Sequence, residues 1–175
     1  MYMETIRLAQ PQDAVAIAHV QVESWHTTYK DLVPIEHHPS YDQRLRLWQQ
    51  VLSMPSREGL TIVAINEQGE LVGFLDSSSK ARDDDLNDYQ VELTALYLLE
   101  VAQGHGLGRC LMQVFAEHFL QAGYESMLLW VFAQNPACSF YEALGGTLIK
   151  TEQFLWEEIS YEGVAYGWCD IQILL

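Results

Sequence analysis

A glycine-rich segment from Gln103 to Gly108 has the residue types of an anion-binding turn. It follows a run typical of a strand, Val91 to Leu98, and it leads directly into an amphipathic helix. Glycines let the backbone approach a ligand closely, and the free amides at a helix N-terminus point toward negative charge. The order of strand, glycine turn and helix therefore predicts an anion site. The apolar face of the helix carries Leu107, Leu111, Val114, Phe115 and Phe119.

Two common glycine-rich motifs do not match this segment. The dinucleotide fingerprint G-x-G-x-x-G requires a further glycine, but Arg109 stands three residues after Gly106. The P-loop requires a Gly-Lys-Ser/Thr ending, which the segment lacks. What remains is the pattern Gln-x-x-Gly-x-Gly after a Leu-Tyr-Leu strand.

A second motif lies downstream, where residues Asn135 to Gly145 read Asn-Pro-Ala-Cys-Ser-Phe-Tyr-Glu-Ala-Leu-Gly. Asn135 before a proline predicts the start of a helix, and the pair Gly145-Gly146 predicts its end. In this order and spacing, the two motifs resemble the signatures of the GNAT superfamily of N-acetyltransferases. The resemblance covers residues 91–147 well and the rest of the chain by its order of elements.

The resemblance implies an α/β fold, in which about four helices flank a mixed, mostly antiparallel, twisted sheet of about seven strands. The two central parallel strands are splayed, and acetyl-CoA, the acyl donor, inserts between them. No metal is implied, and the six scattered histidines predict none. The residues implied to bind the coenzyme, largely through the main chain, are Leu96, Leu98, Gln103, Gly104, His105, Gly106, Leu107, Gly108, Arg109 and Asn135.

Acetyl transfer to an amine needs an acid for the leaving thiolate and a base for the ammonium group. Tyr141 matches the family's tyrosine in the helix after the second splayed strand, which implies the role of general acid. Glu92 has the same offset from Gln103 as the catalytic glutamate of the histone-acetylating branch, so we predict that it is the base. His26 and water alone stay open as alternatives. The alternative for Tyr141 is that its ring only packs under the sheet, and the alternative for Glu92 is that its side chain only faces solvent.

The segment from Ser24 to Pro34 is unusually rich in aromatic and polar residues for a helix end. It resembles the Trp-x-x-x-Tyr-x-x-x-x-Pro element of one bacterial branch of the family, where the first two helices wall the acceptor pocket. We therefore predict that Trp25, His26 and Tyr29 contact the acceptor. The alternative is that these rings only staple the two helices together.

A formal net charge of −15 argues against nucleic acid and anionic membranes as partners, because phosphates repel such a surface. It favours a cationic amine as acceptor, and the alternative is that the acidity only serves solubility. An acidic run at Asp83, Asp84, Asp85 and Asp88 is typical of a solvated turn, although at a pocket mouth it could attract an amine.

The chain shows no signal peptide, no membrane-spanning apolar run and an odd count of three cysteines, which together predict a cytoplasmic protein with reduced thiols. Two of these cysteines, Cys110 and Cys138, are predicted to be small core residues.

The length of 175 residues and the hydrophobic content of 49% predict a single domain over residues 1–175. The predicted strands cover residues 5–9, 60–65, 71–75, 91–98, 127–131, 147–156 and 164–173, with the last two joined around Glu162-Gly163. The predicted helices begin at Pro11, Tyr41, Leu107 and Pro136. The first buries Val15, Ala18, Val22, Trp25 and Tyr29.

The predicted function is transfer of the acetyl group of acetyl-CoA to a primary amine by direct attack in a ternary complex. The amine would belong to a small molecule, a polyamine or a peptide. One alternative is a non-catalytic module of the same fold that senses acyl-CoA or binds another protein. Another is the same enzyme with a longer acyl-CoA as the donor. Dimers are common in the family, so a homodimer is a further prediction.

Overall fold

A computed structural model describes residues 5–54, 58–80, 84–156 and 158–175, and a mixed sheet of seven strands forms its centre. The strands are β1 (Thr5–Leu8), β2 (Thr61–Ile65), β3 (Leu71–Ser78), β4 (Val91–Leu98), β5 (Met127–Phe132), β6 (Thr147–Trp156) and β7 (Ile159–Trp168). The helices in these ranges are α1 (Ala14–Tyr29), α2 (Tyr41–Ser53), α3 (Leu107–Gln121) and α4 (Ala137–Ala143). The predicted α/β fold is confirmed.

The strand order in the sheet is β1-β2-β3-β4-β5-β7-β6. Only one neighbouring pair among these strands, β4 and β5, is parallel, and the other five pairs are antiparallel. A parallel pair needs a crossover connection, and α3 supplies it between β4 and β5.

Helices cover both faces of the sheet, because its strands carry apolar side chains on each side. Helices α1 and α2 pack on one face, where Ile17, Trp48 and Phe74 belong to a common core. Helices α3 and α4 pack on the other face in a larger core that includes Phe115 and Leu129. The predicted apolar face of α3 is confirmed: Leu107, Leu111, Phe115 and Phe119 are buried, and Val114 packs half-buried against the same core.

Two predictions about buried residues are wrong. Val15 of α1 is 55% exposed, because the buried stripe runs through Ala14 and Ile17 on the adjacent positions of the helix. Cys110 lies on the exposed side of α3, whereas Cys138 is half-buried against the larger core.

The end of the chain also differs from its predicted boundaries. The last strand runs from Ile159 to Trp168 instead of residues 164–173, and a 3-10 turn follows at Ile171–Leu174. The predicted connection around Glu162-Gly163 is wrong as well, since both residues pair with β6. Ile171 and Leu174 are buried and lie three residues apart, which is the spacing of a 3-10 turn. In the sequence, these apolar residues resemble a continuation of the last strand.

The two parallel strands separate partway along their length. Val91–Leu93 pairs with Met127–Leu129, but β4 continues to Leu98 and β5 to Phe132 without further pairing between them. The predicted splay between the central parallel strands is confirmed.

A β-bulge in β4 begins where the splay begins. Asp76 and Ser77 are consecutive in β3, yet they pair with Ala95 and Leu93, which leaves Thr94 as an extra residue. A bulge of this kind re-aims side chains locally and is common beside active sites.

The acidic run is only partly within the described residues, because Asp83 and the side chain of Asp84 lie outside them. Asp85 and Asp88 are exposed, and a carboxylate oxygen of Asp85 lies 3.7 Å from the ammonium nitrogen of Lys150. These two residues match a solvated turn. None of the helices in the described ranges combines the length and apolar character that crossing a membrane requires.

Candidate active site

A cavity of about 700 Å³ opens where β4 and β5 separate. Its walls are residues 93–98 of β4, residues 129–131 of β5, the end of α1, the glycine turn and the start of α4. The cavity exists because two strands that begin as neighbours stop pairing, which leaves the facing edge of β4 without a strand partner beyond Leu93. Backbone groups at such an edge are available to an extended ligand.

The glycine turn has the backbone conformation that its sequence predicts. Gly104 and Gly106 have φ angles of +76° and +89°, values that L-residues with a Cβ atom rarely adopt. Gly106 immediately precedes α3, so the free amides of the first helical turn lie directly after the glycine turn. Gly108 serves packing, because a Cβ atom there would lie 3.2 Å from Cζ of Phe140.

Gln103 has a structural contact that the motif did not reveal. Its Nε2 donates a hydrogen bond to the carbonyl oxygen of Leu98 at 3.0 Å, and the hydroxyl of Ser24 donates to the same oxygen at 3.0 Å. The glycine turn, the end of β4 and helix α1 are therefore joined at one carbonyl group. This arrangement fixes the turn relative to the splayed edge.

Tyr141 lines the cavity from α4, although only 7% of its surface is exposed. Burial raises the pKa of its hydroxyl well above the usual tyrosine value, and the neighbouring Tyr97 adds to the shift. The hydroxyl therefore stays protonated at neutral pH and can act as a hydrogen-bond donor.

Tyr29 and Asn135 meet across the cavity. Asn135 Nδ2 donates to the Tyr29 hydroxyl at 2.6 Å, while Asn135 Oδ1 accepts from the backbone amide of Ala137 at 2.9 Å. The second contact caps the first turn of α4, so one side chain both caps a helix and holds α1. Burial raises the pKa of Tyr29 as well, which keeps its hydroxyl proton in place.

Most of the site residues predicted from the sequence converge on this cavity. Its lining includes Tyr29, Leu96, Leu98, Gln103, Gly104, Gly106, Gly108, Arg109, Asn135 and Tyr141. Leu107 instead faces the core behind the turn, and His105 lies on the exposed outer side of the turn.

Three other predicted residues also lie outside the lining. Glu92 is completely buried in the paired part of β4, before the splay begins. His26 is exposed, with its ring 5.2 Å from that of His38. Trp25 is buried in an aromatic cluster. Its ring centroid lies 5.1 Å from that of Trp156, so Trp25 packs α1 against the β6–β7 hairpin.

The cavity also contains residues that the sequence did not single out. Ser24, Thr27, Thr28, Thr94 and Tyr97, all of which have hydroxyl-bearing side chains, belong to its lining. Ser24 and Thr28 are four residues apart on α1, so helical periodicity places them on one face of the helix. The position of Thr94 depends on the bulge, which the sequence of β4 alone does not indicate.

Charge is sparse in the cavity. Among its described lining residues, Glu100 and Arg109 alone carry formal charges at neutral pH, and both belong to the region of the glycine turn. The described residues contain no group of three or more metal-ligating side chains.

The fold and this cavity define a protein that can hold an extended, phosphorylated ligand between two splayed strands. Comparison with known proteins agrees with this interpretation of the fold and the cavity. Residues 71–156 match the family FR47-like protein. The chain is 36% identical over 172 residues to the uncharacterized N-acetyltransferase YuaI of Bacillus subtilis (strain 168), which covers 98% of this chain and 96% of that protein.

Two solved structures share the fold. The PaiA N-acetyltransferase of Thermoplasma acidophilum, in complex with coenzyme A, has a TM-score of 0.72 and 20% identity, with 92% of this chain and 98% of that chain covered. The yncA protein of Salmonella typhimurium, with its cofactor acetyl-CoA, has a TM-score of 0.68 and 21% identity, with 95% and 93% covered. The chain belongs to the GNAT superfamily of acetyl-CoA-dependent N-acetyltransferases.

Proposed function

We propose that this enzyme transfers the acetyl group of acetyl-CoA to a small primary amine, by direct attack while both substrates are bound. The observation that carries the proposal is the continuous cavity that runs from the glycine turn, through the splay, to the end of α1. A donor site and an acceptor site that share one cavity allow direct transfer, because the reacting atoms can be brought together without an enzyme-bound acyl group.

The donor site would use mainly backbone groups. The amides of the glycine turn and the first turn of α3 would bind the pyrophosphate, because they combine free N–H groups with the positive end of the helix dipole. The edge of β4 near Leu96 and Leu98, which has no strand partner, would hydrogen-bond the pantetheine arm. A backbone amide near Leu98 would polarise the acetyl carbonyl. Asn135 would support the arm from the β5 side, where it already holds the start of α4.

Tyr141 would act as the general acid at the sulfur. When the amine nitrogen bonds the acetyl carbon and the carbon–sulfur bond breaks, the Tyr141 hydroxyl donates its proton to the thiolate. The raised pKa of Tyr141 means that the proton must be replaced at once, and the proton lost by the attacking nitrogen does so.

The acceptor would lie against the hydroxyl-rich wall formed by the end of α1 and Thr94. Hydroxyl groups accept hydrogen bonds from an ammonium group without the desolvation cost of a buried carboxylate. This wall favours a small amine with little charge of its own beyond the reacting group. A cationic acceptor, a homodimer and a cytoplasmic location stay predictions.

A thiol-release assay with acetyl-CoA and a panel of polyamines, amino acids, aminoglycosides and peptides tests the proposal. We expect Tyr141→Phe to lower kcat by about a hundredfold or more for any amine that the enzyme accepts, as expected for loss of a general acid. The KM for acetyl-CoA should change little, because the hydroxyl acts after the donor is bound.

Tyr161→Phe is a matched control for this substitution. Tyr161 is also buried, its hydroxyl has no hydrogen-bond partner among the described residues, and it lies outside the cavity lining. It should therefore retain wild-type kinetics. Equal losses in the two variants would contradict the acid role, and coenzyme A binding without turnover of any amine would favour the sensor function.

A further inference from the structure

A buried carboxylate lies directly behind the cavity wall. Asp76 of β3 is 8% exposed, and its carboxylate accepts hydrogen bonds from the Thr61 hydroxyl at 2.7 Å and from the Thr94 hydroxyl at 2.6 Å. Thr94 is the bulged residue of β4 and lines the cavity, whereas Thr61 is buried on the far side of Asp76. Among the described residues, Thr94 therefore connects the cavity to this carboxylate through its hydrogen bond.

The geometry of this contact is typical of a hydroxyl bound to an ionised carboxylate. Distances of about 2.5–2.7 Å characterise such charge-assisted O–H···O⁻ hydrogen bonds. Since a hydroxyl can donate one proton and accept another hydrogen bond at the same time, Thr94 retains acceptor capacity toward the cavity. A proton donor in the cavity could therefore bind Thr94 Oγ1.

We propose that Thr94 and Asp76 together remove the proton from the acceptor ammonium group, with Asp76 acting through Thr94. This inference rests on the proposed transfer of an acetyl group to an amine. It assigns the base function to a pair of residues on β3 and β4 that the sequence did not indicate.

The proton transfer balances without any further reactant. One N–H bond of the ammonium group breaks, and its proton passes to Thr94 Oγ1 while the proton of Thr94 passes to Asp76 Oδ2. The products are a neutral amine, an unchanged threonine and a protonated Asp76. After the product leaves, the reverse path returns this proton to water in the cavity.

The two bases predicted from the sequence are less well placed for this step. Glu92 is completely buried in the paired part of β4 and does not line the cavity. His26 is exposed on the outer side of α1, next to His38, and is also absent from the lining. Thr94, by contrast, belongs to the lining of the cavity, as Tyr141 does.

The test compares two forms of one acceptor. The first is the best amine in the panel, which is protonated at pH 7. The second is its analogue with a trifluoromethyl group next to the carbon that bears the amine, which is neutral at pH 7 and needs no base. We expect Thr94→Val and Asp76→Asn to lower kcat about a hundredfold for the protonated amine and less than about threefold for its fluorinated analogue.

Two further variants separate this role from a structural one. Thr94→Ser keeps the hydroxyl and should restore most of the kcat lost in Thr94→Val, with little change in KM for acetyl-CoA. Thr61→Val removes the other hydroxyl that contacts Asp76, and any loss it causes should be equal for the two amines.

The possible failures are distinguishable. Equal losses of Thr94→Val on the two amines would show that the Thr94–Asp76 contact is structural, and Thr94→Ser without recovery would also overturn the proposal. If the wild-type enzyme acetylates neither amine nor any other in the panel, the proposed function fails and the base assignment fails with it. Circular dichroism of each variant identifies a loss of folding.

Discussion

Gly106 combines a backbone requirement with a ligand-binding role. Its φ angle of +89° turns the chain from the end of β4 into α3, and a Cβ atom there would meet no other atom within 4 Å. The cost of any side chain at this position is therefore conformational and not steric. Since the amides of the following helical turn depend on this conformation, the cost should appear in coenzyme binding too.

We expect Gly106→Ala to lower the free energy of unfolding by about 1–2 kcal/mol, the cost of a left-handed conformation for an L-residue. It should also weaken coenzyme A binding by about tenfold, because the relaxed turn no longer directs its amides at the pyrophosphate. Urea unfolding and titration calorimetry measure the two effects separately.

Gly123 provides the matched control at the other end of the same helix. Its φ angle is +87°, and a Cβ atom there would also be in open space. Gly123→Ala should therefore lose similar stability while coenzyme A binding stays at the wild-type level. Weakened binding in both variants would show that the loss follows stability and not the conformation of the turn.

Gly146 follows the Leu144-Gly145 pair at the end of α4. A Cβ atom at Gly146 would lie 2.6 Å from Cζ2 of Trp168, so the indole of β7 fills this space. The indole Nε1 also donates a hydrogen bond to the carbonyl oxygen of Leu144 at 3.0 Å. Trp168 of β7 therefore packs against the end of α4 and is hydrogen-bonded to it.

At the scale of elements, Asn135 joins the start of α4 to the end of α1. It gives one hydrogen bond to Tyr29 and accepts one from Ala137, and all three residues border the cavity. The walls of the donor and acceptor parts are therefore mechanically connected. A substitution in one wall should therefore change the energetic effect of a substitution in the other.

A double-mutant cycle measures this connection. We expect Asn135→Ala to lower the free energy of unfolding by about 1–2 kcal/mol through loss of a helix cap and a hydrogen bond, and Tyr29→Phe by about 1 kcal/mol. The double variant should lose less than the sum, with a coupling of about 0.5–1.5 kcal/mol. Strict additivity in urea unfolding would show that the hydrogen bond contributes nothing to stability.

Local patterns predicted the elements more accurately than their pairing. The glycine turn, the α3 stripe and the α4 start depend on nearby residues, so the sequence indicates them directly. The bulge at Thr94 depends on how β3 pairs with β4, and the contact of Gln103 with Leu98 depends on how the turn folds back. Asp76 could not be found from spacing, because eighteen residues separate it from Thr94.

The same distinction explains the predicted site. Tyr141 and Asn135 belong to a motif within one helix start, and both line the cavity. The offset from Gln103 indicates Glu92 as the base, but an offset along the sequence does not show where the pairing of a strand ends. The splay begins after Leu93, so the cavity starts just beyond Glu92.

At the scale of the whole molecule, charge acts differently on the two substrates. The net charge is −15, yet the described cavity lining contains one acidic and one basic residue, Glu100 and Arg109. Discrimination by charge must therefore come mainly from the long-range field and not from contacts in the site. That field attracts a cationic amine and repels the phosphates of acetyl-CoA.

Salt should consequently move the two substrates in opposite directions. The Debye length falls from about 30 Å at 0.01 M to about 3 Å at 1 M, so high salt removes the field but leaves short contacts. Raising the salt concentration should lower kcat/KM for a cationic acceptor by about tenfold and raise kcat/KM for acetyl-CoA. A fluorinated acceptor that is neutral at the assay pH is the control and should show little dependence. Parallel changes for donor and cationic acceptor would instead indicate a general effect of salt on the fold, and would remove the charge-based argument for a cationic acceptor.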